Sequence, residues 1–179
     1  DGVKHLIDQG IVDADRVCIA GASYGGYAAL AGAAFTPDLY RCSVSVAGVS
    51  DLVEMLRWEE NRYGVESGVV KFWRKHIGKT SDPDVAQFSP ARAADKVTST
   101  VLMMHGVDDT VVPYVQTEFM ETAMKRAKIK HEIFQLKSED HWLSRSPSRI
   151  EMLTQLDRFL EQHIGKGYRV TTEETVAQR

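Results

Sequence analysis

Short apolar runs alternate with amphipathic stretches along this chain. Runs rich in β-branched residues predict buried strands at residues 16–21, 41–49, 100–106 and 130–137. Helical spacing of apolar residues predicts helices, some of them irregular, at residues 2–10, 24–35, 51–64, 68–78, 113–128 and 146–165. Strands that alternate with helices are typical of βαβ units, so we expect an α/β fold with a parallel sheet.

The loops that follow the predicted strands are the places to look for chemistry. In a parallel α/β sheet, ligands bind beyond the carboxyl ends of the strands. We therefore expect reactive side chains after residues 20, 49, 105 and 136. The helix at 24–35 is rich in glycine and alanine, which predicts very close packing against the sheet.

Composition narrows the range of partners. The chain has 179 residues and a net charge of −3, and no apolar run approaches the roughly 18 residues of a membrane span. We expect neither nucleic acid nor a membrane as a partner. The two cysteines, Cys18 and Cys42, are too few for a disulfide framework. They are predicted to be unpaired buried thiols, which weakly favours a reducing, cytoplasmic compartment.

The segment GASYGGY places a serine where a strand becomes a helix. Gly21, Ser23 and Gly25 match G-x-S-x-G, the pattern of a nucleophile elbow. We expect a strained backbone at Ser23 and a glycine on either side, because larger side chains would collide with neighbouring elements. The N–H of Tyr24, at the start of the helix, is predicted to stabilise an oxyanion.

A nucleophilic serine needs a base, and the base needs a carboxylate to orient it. In α/β-hydrolases the chain order is serine, acid, histidine. Here HGVDDTVVP follows the third predicted strand and SEDHW follows the fourth. This order selects Ser23, Asp108 or Asp109, and His141. Asp140 and Asp51 are weaker candidates for the acid, and His105 is predicted to be structural.

Three motifs together resemble the catalytic domain of the prolyl oligopeptidase family of serine peptidases. They are GASYGGY, HGVDDTVVPYVQ and DHW, and the resemblance covers residues 1–165. The family includes dipeptidyl peptidases, acylaminoacyl peptidases and prolyl oligopeptidases. Its motif H-G-x-x-D-x-x-V-P, aligned on His105, selects Asp109 over Asp108. Trp142 stands where family members often have glycine, so the backbone of this loop is expected to differ.

The resemblance implies the C-terminal part of an α/β-hydrolase fold and acyl transfer from oligopeptides through an acyl-enzyme. It implies no metal and no organic cofactor. Besides Tyr24, the pocket for the residue before the scissile bond is expected to be apolar and to suit a hydrophobic or small residue. Its predicted wall residues are Val49, Leu52, Met55 and Val112, although core packing is an equally good interpretation of Leu52 and Met55.

The resemblance also implies that this chain is part of a larger peptidase. Residues 1–165 are expected to form the C-terminal portion of the catalytic domain, followed by a polar, flexible tail at 166–179. Upstream strands, a tyrosine hydroxyl that completes the oxyanion hole, and an N-terminal β-propeller are then expected elsewhere. The edge strand Val17–Ala20 would pair with the upstream part or with a second copy.

Two other functions fit parts of the pattern. An esterase or lipase-like hydrolase shares the G-x-S-x-G, acid and histidine arrangement, although the Y-G-G-Y extension favours a peptidase. A non-catalytic binding domain of the same fold would have no reason to keep all three residues.

Overall fold

The computed structural model describes residues 2–166, in which four parallel strands form one sheet. Their order in the sheet follows their order in the chain. The strands are β1 (Cys18–Ala22), β2 (Cys42–Val46), β3 (Thr100–Gly106) and β4 (His131–Leu136). The predicted α/β fold is confirmed, and β1 and β4 are the edges of this sheet. Strand β1 runs to Ala22, so Ser23 is the first residue beyond its end.

Seven α-helices accompany these strands in the described part of the chain. They are α1 (Gly2–Asp8), α2 (Tyr24–Phe35), α3 (Leu52–Tyr63), α4 (Gly68–Ile77), α5 (Pro83–Gln87), α6 (Val115–Ala127) and α7 (Ser146–Ile164). Between residues 2 and 166, no helix combines the length and apolar character that crossing a membrane requires. The tail predicted at 166–179 lies outside the described residues except for Lys166.

The sheet has a hydrophobic core on each face. Successive side chains of β3 alternate between the two, as the period of a strand requires. Val101 and Met103 pack with α2 and α6, whereas Leu102 and Met104 pack with Phe159 of α7. Both faces of the sheet are therefore covered by helices, and its carboxyl edge is left for the loops that carry the candidate site.

The two cysteines form a disulfide bond, so the prediction of unpaired thiols is wrong. Cys18 and Cys42 are direct partners in the register of β1 and β2, and their Cα atoms lie 4.6 Å apart. Their separation of 24 residues conceals this proximity, because a helical crossover returns the chain to the neighbouring strand. Because the reducing compartment was inferred only from unpaired cysteines, the disulfide removes the reason for that inference.

Candidate active site

Ser23 occupies a strained turn between β1 and α2. Its backbone has φ 55° and ψ −119°, a conformation that residues with a side chain rarely adopt. Two hydrogen bonds hold the turn: Ser23 N donates to the Val46 carbonyl at 2.8 Å, and Tyr27 N donates to the Ser23 carbonyl at 3.0 Å. The strain predicted for this serine is confirmed.

The glycines around Ser23 have different roles from those predicted. A Cβ atom on Gly21 would overlap the backbone of Gly25, as expected, but a Cβ atom on Gly25 would meet nothing within 4 Å. The collision predicted for a side chain at position 25 is therefore wrong. The tight position is Gly26, where a Cβ atom would lie 2.7 Å from the Gly48 Cα and 2.9 Å from the Val46 carbonyl oxygen.

This difference predicts opposite effects of the same substitution at adjacent positions. Gly26→Ala should lower the free energy of unfolding by about 1–3 kcal/mol, because the new methyl group forces α2 away from the end of β2. Gly25→Ala, the matched control, should leave stability unchanged or raise it by up to about 1 kcal/mol, because alanine favours helix. Chemical denaturation of both variants measures the difference. Equal destabilisation would contradict the role assigned to Gly26.

The serine, the histidine and one aspartate form a continuous chain of hydrogen bonds. His141 Nε2 lies 2.9 Å from Ser23 Oγ, and His141 Nδ1 lies 2.7 Å from Asp109 Oδ2. The other oxygen of Asp109 accepts the backbone N–H groups of Val111 at 2.8 Å and Val112 at 2.9 Å. These contacts orient the imidazole between a hydroxyl and an anchored carboxylate.

Asp109 is kept as an anion although it is fully buried. Burial on its own raises the pKa of the carboxyl group. Hydrogen bonds from His105, His141 and the backbone at Val111 and Val112 together lower the pKa by more than burial raises it. The net effect is a pKa below the ordinary value. The ionised form accepts a hydrogen bond from the Nδ1–H group of His141 and so fixes the tautomer of the imidazole.

His105 is buried and holds the loop that carries Asp109. Its Nε2 lies 2.9 Å from the Val112 carbonyl and 3.2 Å from Asp109 Oδ2, so this nitrogen carries the proton. Its Nδ1 then accepts a hydrogen bond from the Thr117 hydroxyl group at 2.8 Å. These contacts fit the structural role predicted for His105 and tie the loop to α6.

None of the other candidate acids forms a hydrogen bond to His141 in the part of the chain that the structure describes. Asp108 is exposed. Asp140 accepts hydrogen bonds from Trp142 N and from both N and Oγ of Ser144. Asp51 caps α3 and pairs with Arg92 at 2.8 Å. Geometry thus favours Asp109 over all three.

The histidine loop accommodates Trp142 without a glycine. Two residues of this loop have positive φ, Ser138 at 55° and Leu143 at 50°. Trp142 is 76% exposed and meets the His141 ring edge-on at 5.4 Å between ring centroids. The indole therefore stands beside the imidazole at the surface of the site.

A cleft of about 440 Å³ opens beside Ser23. All four predicted wall residues line it: Val49, Leu52, Met55 and Val112. The exposed Tyr24 lines it too, and its N–H begins α2. Sequence reasoning missed the contribution of α4, which turns Val69, Trp73 and Ile77 toward the cleft. Their spacing of four residues was the available signal.

Sequence reasoning also missed an acid in this cleft. Glu59 lines the cleft and is only 7% exposed. Burial raises the pKa of its carboxyl group, while the charge of Arg62 opposes the shift. The signal was its position on α3, on the same face as Leu52, Met55 and Leu56.

No cluster of three or more potential metal ligands occurs in residues 2–166. The site described above places a hydroxyl group that is hydrogen-bonded to an imidazole beside a largely apolar cleft. Such an arrangement can transfer an acyl group from a substrate carbonyl to Ser23 and then to water.

A comparison with protein families matches residues 1–167 to the prolyl oligopeptidase family. Among curated relatives, dipeptidyl aminopeptidase BIII of Pseudoxanthomonas mexicana is 28% identical over 172 residues, which is 92% of this chain and 24% of the relative. Dipeptidyl peptidase family member 6 of Caenorhabditis elegans is 24% identical over 92% of this chain and 23% of its own length. The chain therefore spans about a quarter of these relatives.

Solved structures share the fold. A puromycin-hydrolyzing peptidase of Mycobacterium tuberculosis superposes with a TM-score of 0.79 and 25% identity, over 95% of this chain and 25% of that chain. The acylaminoacyl peptidase of Pyrococcus horikoshii gives a TM-score of 0.77 at 20% identity, over 97% of this chain and 28% of that chain. The four strands and their flanking helices match the α/β-hydrolase fold of these neighbours.

Proposed function

We propose, from the premise that this chain belongs to the prolyl oligopeptidase family, that it carries the catalytic triad of a serine peptidase acting on oligopeptides. Ser23 is the nucleophile, His141 the general base and Asp109 the acid that orients it. The observation that carries the proposal is the hydrogen-bond chain from Asp109 Oδ2 through His141 to Ser23 Oγ, with distances of 2.7 and 2.9 Å.

The reaction proceeds in two acyl transfers. His141 Nε2 takes the proton of Ser23 as Oγ attacks the peptide carbonyl, and it then gives that proton to the leaving amine. A water molecule, deprotonated by the same nitrogen, attacks the acyl-enzyme. The bond from Ser23 Oγ to the acyl group breaks, the carboxylic acid leaves, and Nε2 returns the proton to Oγ. Asp109 stays ionised throughout and stabilises the imidazolium.

The N–H of Tyr24 supports the oxyanion of each tetrahedral intermediate. It is the first N–H of α2, where the unpaired donors and the helix dipole favour negative charge. Removal of a single such donor typically slows a serine hydrolase by about 10²–10³-fold. The family resemblance leads us to expect a second donor from a tyrosine hydroxyl outside the described residues.

We further propose that this chain works as the C-terminal part of a longer catalytic unit. Its relatives are about four times longer, and β1 has a neighbour on one side only within the sheet of the described residues. Strands from another part of the same protein, or from a second copy, would pair with that edge.

The proposal is tested by reaction with a fluorophosphonate, followed by mass spectrometry of proteolytic fragments. We expect one equivalent of label on the fragment that contains Ser23, and none after heat denaturation, because only the folded site activates the hydroxyl. A p-nitroanilide and a p-nitrophenyl ester of the same acyl group then separate a peptidase from an esterase. Labelling at another residue, or no labelling of a folded protein that also contains the upstream strands, would contradict the proposal.

A further inference from the structure

One face of α3 lines the cleft beside Ser23. Leu52, Met55, Leu56, Glu59 and Tyr63 follow the three- and four-residue spacing of a single helical face, and each of them borders the cleft. Four of these side chains are apolar or aromatic. The fifth, Glu59, brings a carboxylate into a cleft whose neighbouring surfaces are largely apolar.

Glu59 has an unsatisfied oxygen. Its Oε2 is inaccessible to solvent and has no hydrogen-bond partner among the described residues, and the residue is only 7% exposed. A buried carboxylate oxygen without a partner is costly, and folded proteins rarely keep one without a reason. Because Glu59 lines the same cleft as Ser23, this oxygen makes Glu59 a candidate ligand-binding group.

Two arginines of α3 and α4 are engaged with groups other than Glu59. Arg74 of α4 binds Glu60, the neighbour of Glu59, at 2.8 and 3.0 Å. Arg62, whose charge acts on Glu59, lies over the rings of Trp58 at 5.0 Å and Tyr63 at 5.4 Å. No hydrogen bond joins either arginine to Glu59 in the part of the chain that the structure describes.

The neighbouring walls of the cleft offer Glu59 few hydrogen-bond donors. Helix α4 contributes Val69, Trp73 and Ile77 to the cleft. The hydroxyl group of Tyr27, on α2, donates its hydrogen bond to the Phe88 carbonyl at 3.1 Å rather than to Glu59. The walls thus provide apolar contact for a ligand, and the carboxylate provides one strong acceptor.

We propose that Glu59 determines specificity by binding the cationic end of a lysine or arginine side chain at the residue before the scissile bond. This inference rests on the proposed peptidase function. The aliphatic stem of such a side chain would pack along Leu52 and Met55, and its charged head would pair with Glu59. The logic is that of trypsin, in which one carboxylate in the specificity pocket selects basic residues.

This proposal refines the apolar pocket expected from the sequence. An apolar substrate side chain would leave the carboxylate unpaired, whereas a basic one satisfies both the walls and the acid. Sites that contain an unpaired polar group discriminate strongly against ligands that cannot pair with it. We therefore expect charge, rather than size alone, to decide which substrate is cleaved.

Aminomethylcoumarin amides of matched acyl groups test the proposal on the full chain. Acetyl-lysine and acetyl-norleucine have the same stem and differ in the amine, while acetyl-arginine and acetyl-citrulline differ in charge at nearly constant shape. We expect kcat/KM to favour each basic member by about 100-fold, and Glu59→Gln to abolish most of that preference. The norleucine and citrulline amides should be cleaved by the variant as well as by the parent.

A further substrate tests which cationic group of the peptide Glu59 binds, and further variants control for the mutation. Norleucine amide with a free α-amine tests whether Glu59 instead binds the amino terminus of the substrate. Glu54→Gln removes the same charge from α3 outside the cleft lining and should keep the preference. Glu59→Met, neutral and of similar length, keeps the test decisive if Glu59→Gln does not fold.

Three results would overturn the proposal: no preference for basic residues, equal loss for all substrates in Glu59→Gln, or an effect confined to the free α-amine. Calorimetric titration with butylguanidinium and its neutral isostere butylurea separates this question from catalysis. Glu59-dependent binding of butylguanidinium would support the cation site, and a lack of turnover of any amide by a protein that also contains the upstream strands would refute the peptidase. Turnover of the amides without a preference for basic residues would support the peptidase and refute the cation site.

Discussion

Ser23→Ala should lower kcat for peptide amides by about 10⁶-fold and abolish labelling by a fluorophosphonate. No other described hydroxyl group lies within hydrogen-bond distance of His141 Nε2, so water has to replace the nucleophile in the variant. Alanine tolerates the positive φ of position 23 about as well as serine does, so the variant should fold. Steady-state kinetics with an intact mass spectrum of the labelled protein measures both effects.

Ser81→Ala provides the matched control, since this serine is exposed in the segment between α4 and α5. It should leave both activity and labelling unchanged. If Ser23→Ala kept more than a trace of the parent activity, or if label still entered the chain, the nucleophile would have to be another residue and the proposed triad would fail.

Asp109→Asn should lower kcat by about 10⁴-fold. The amide oxygen can still accept the N–H groups of Val111 and Val112, which keeps the loop in place. Its nitrogen then donates toward His141 Nδ1 and fixes the wrong tautomer, in which Nε2 carries the proton. That nitrogen can no longer take the proton of Ser23.

Asp108→Asn and Asp140→Asn separate the role of Asp109 from a general effect of charge. Asp108 is exposed, and Asp140 is engaged with Ser144 and Trp142, so neither variant should approach the loss expected for Asp109. Kinetics of all three variants at one pH, with thermal melts as a check on folding, makes the comparison. A loss at Asp140 equal to that at Asp109 would reassign the acid.

The main features of the fold and of the site could be predicted because they follow from local patterns. Each strand is a short apolar run bounded by turn residues, and parallel strands bring their carboxyl ends together. Ser23, Asp109 and His141 each follow a different strand of that sheet, so topology alone places them near one another. The choice of Asp109 over Asp108 required the spacing from His105 in the family motif.

The features that were missed depend on contacts between distant segments. The disulfide depends on the register of β1 against β2, which no local pattern specifies. The tight position at Gly26 depends on the approach of Gly48 from another loop. The burial of Glu59 depends on α4 covering that face of α3, and a charged residue on a helix is normally expected to face solvent.

The disulfide has a consequence for the cost of the strained turn at Ser23. Residues 18–42 form a covalent ring, and this ring contains Ser23 and all of α2. A backbone held in a sparsely populated conformation costs about 1–3 kcal/mol. Closing a loop of this length removes conformations from the unfolded chain worth about 3 kcal/mol. The contribution of the ring to the free energy of unfolding is thus of the same size as the strain at Ser23 and opposite in sign, and both arise from the same segment of the chain.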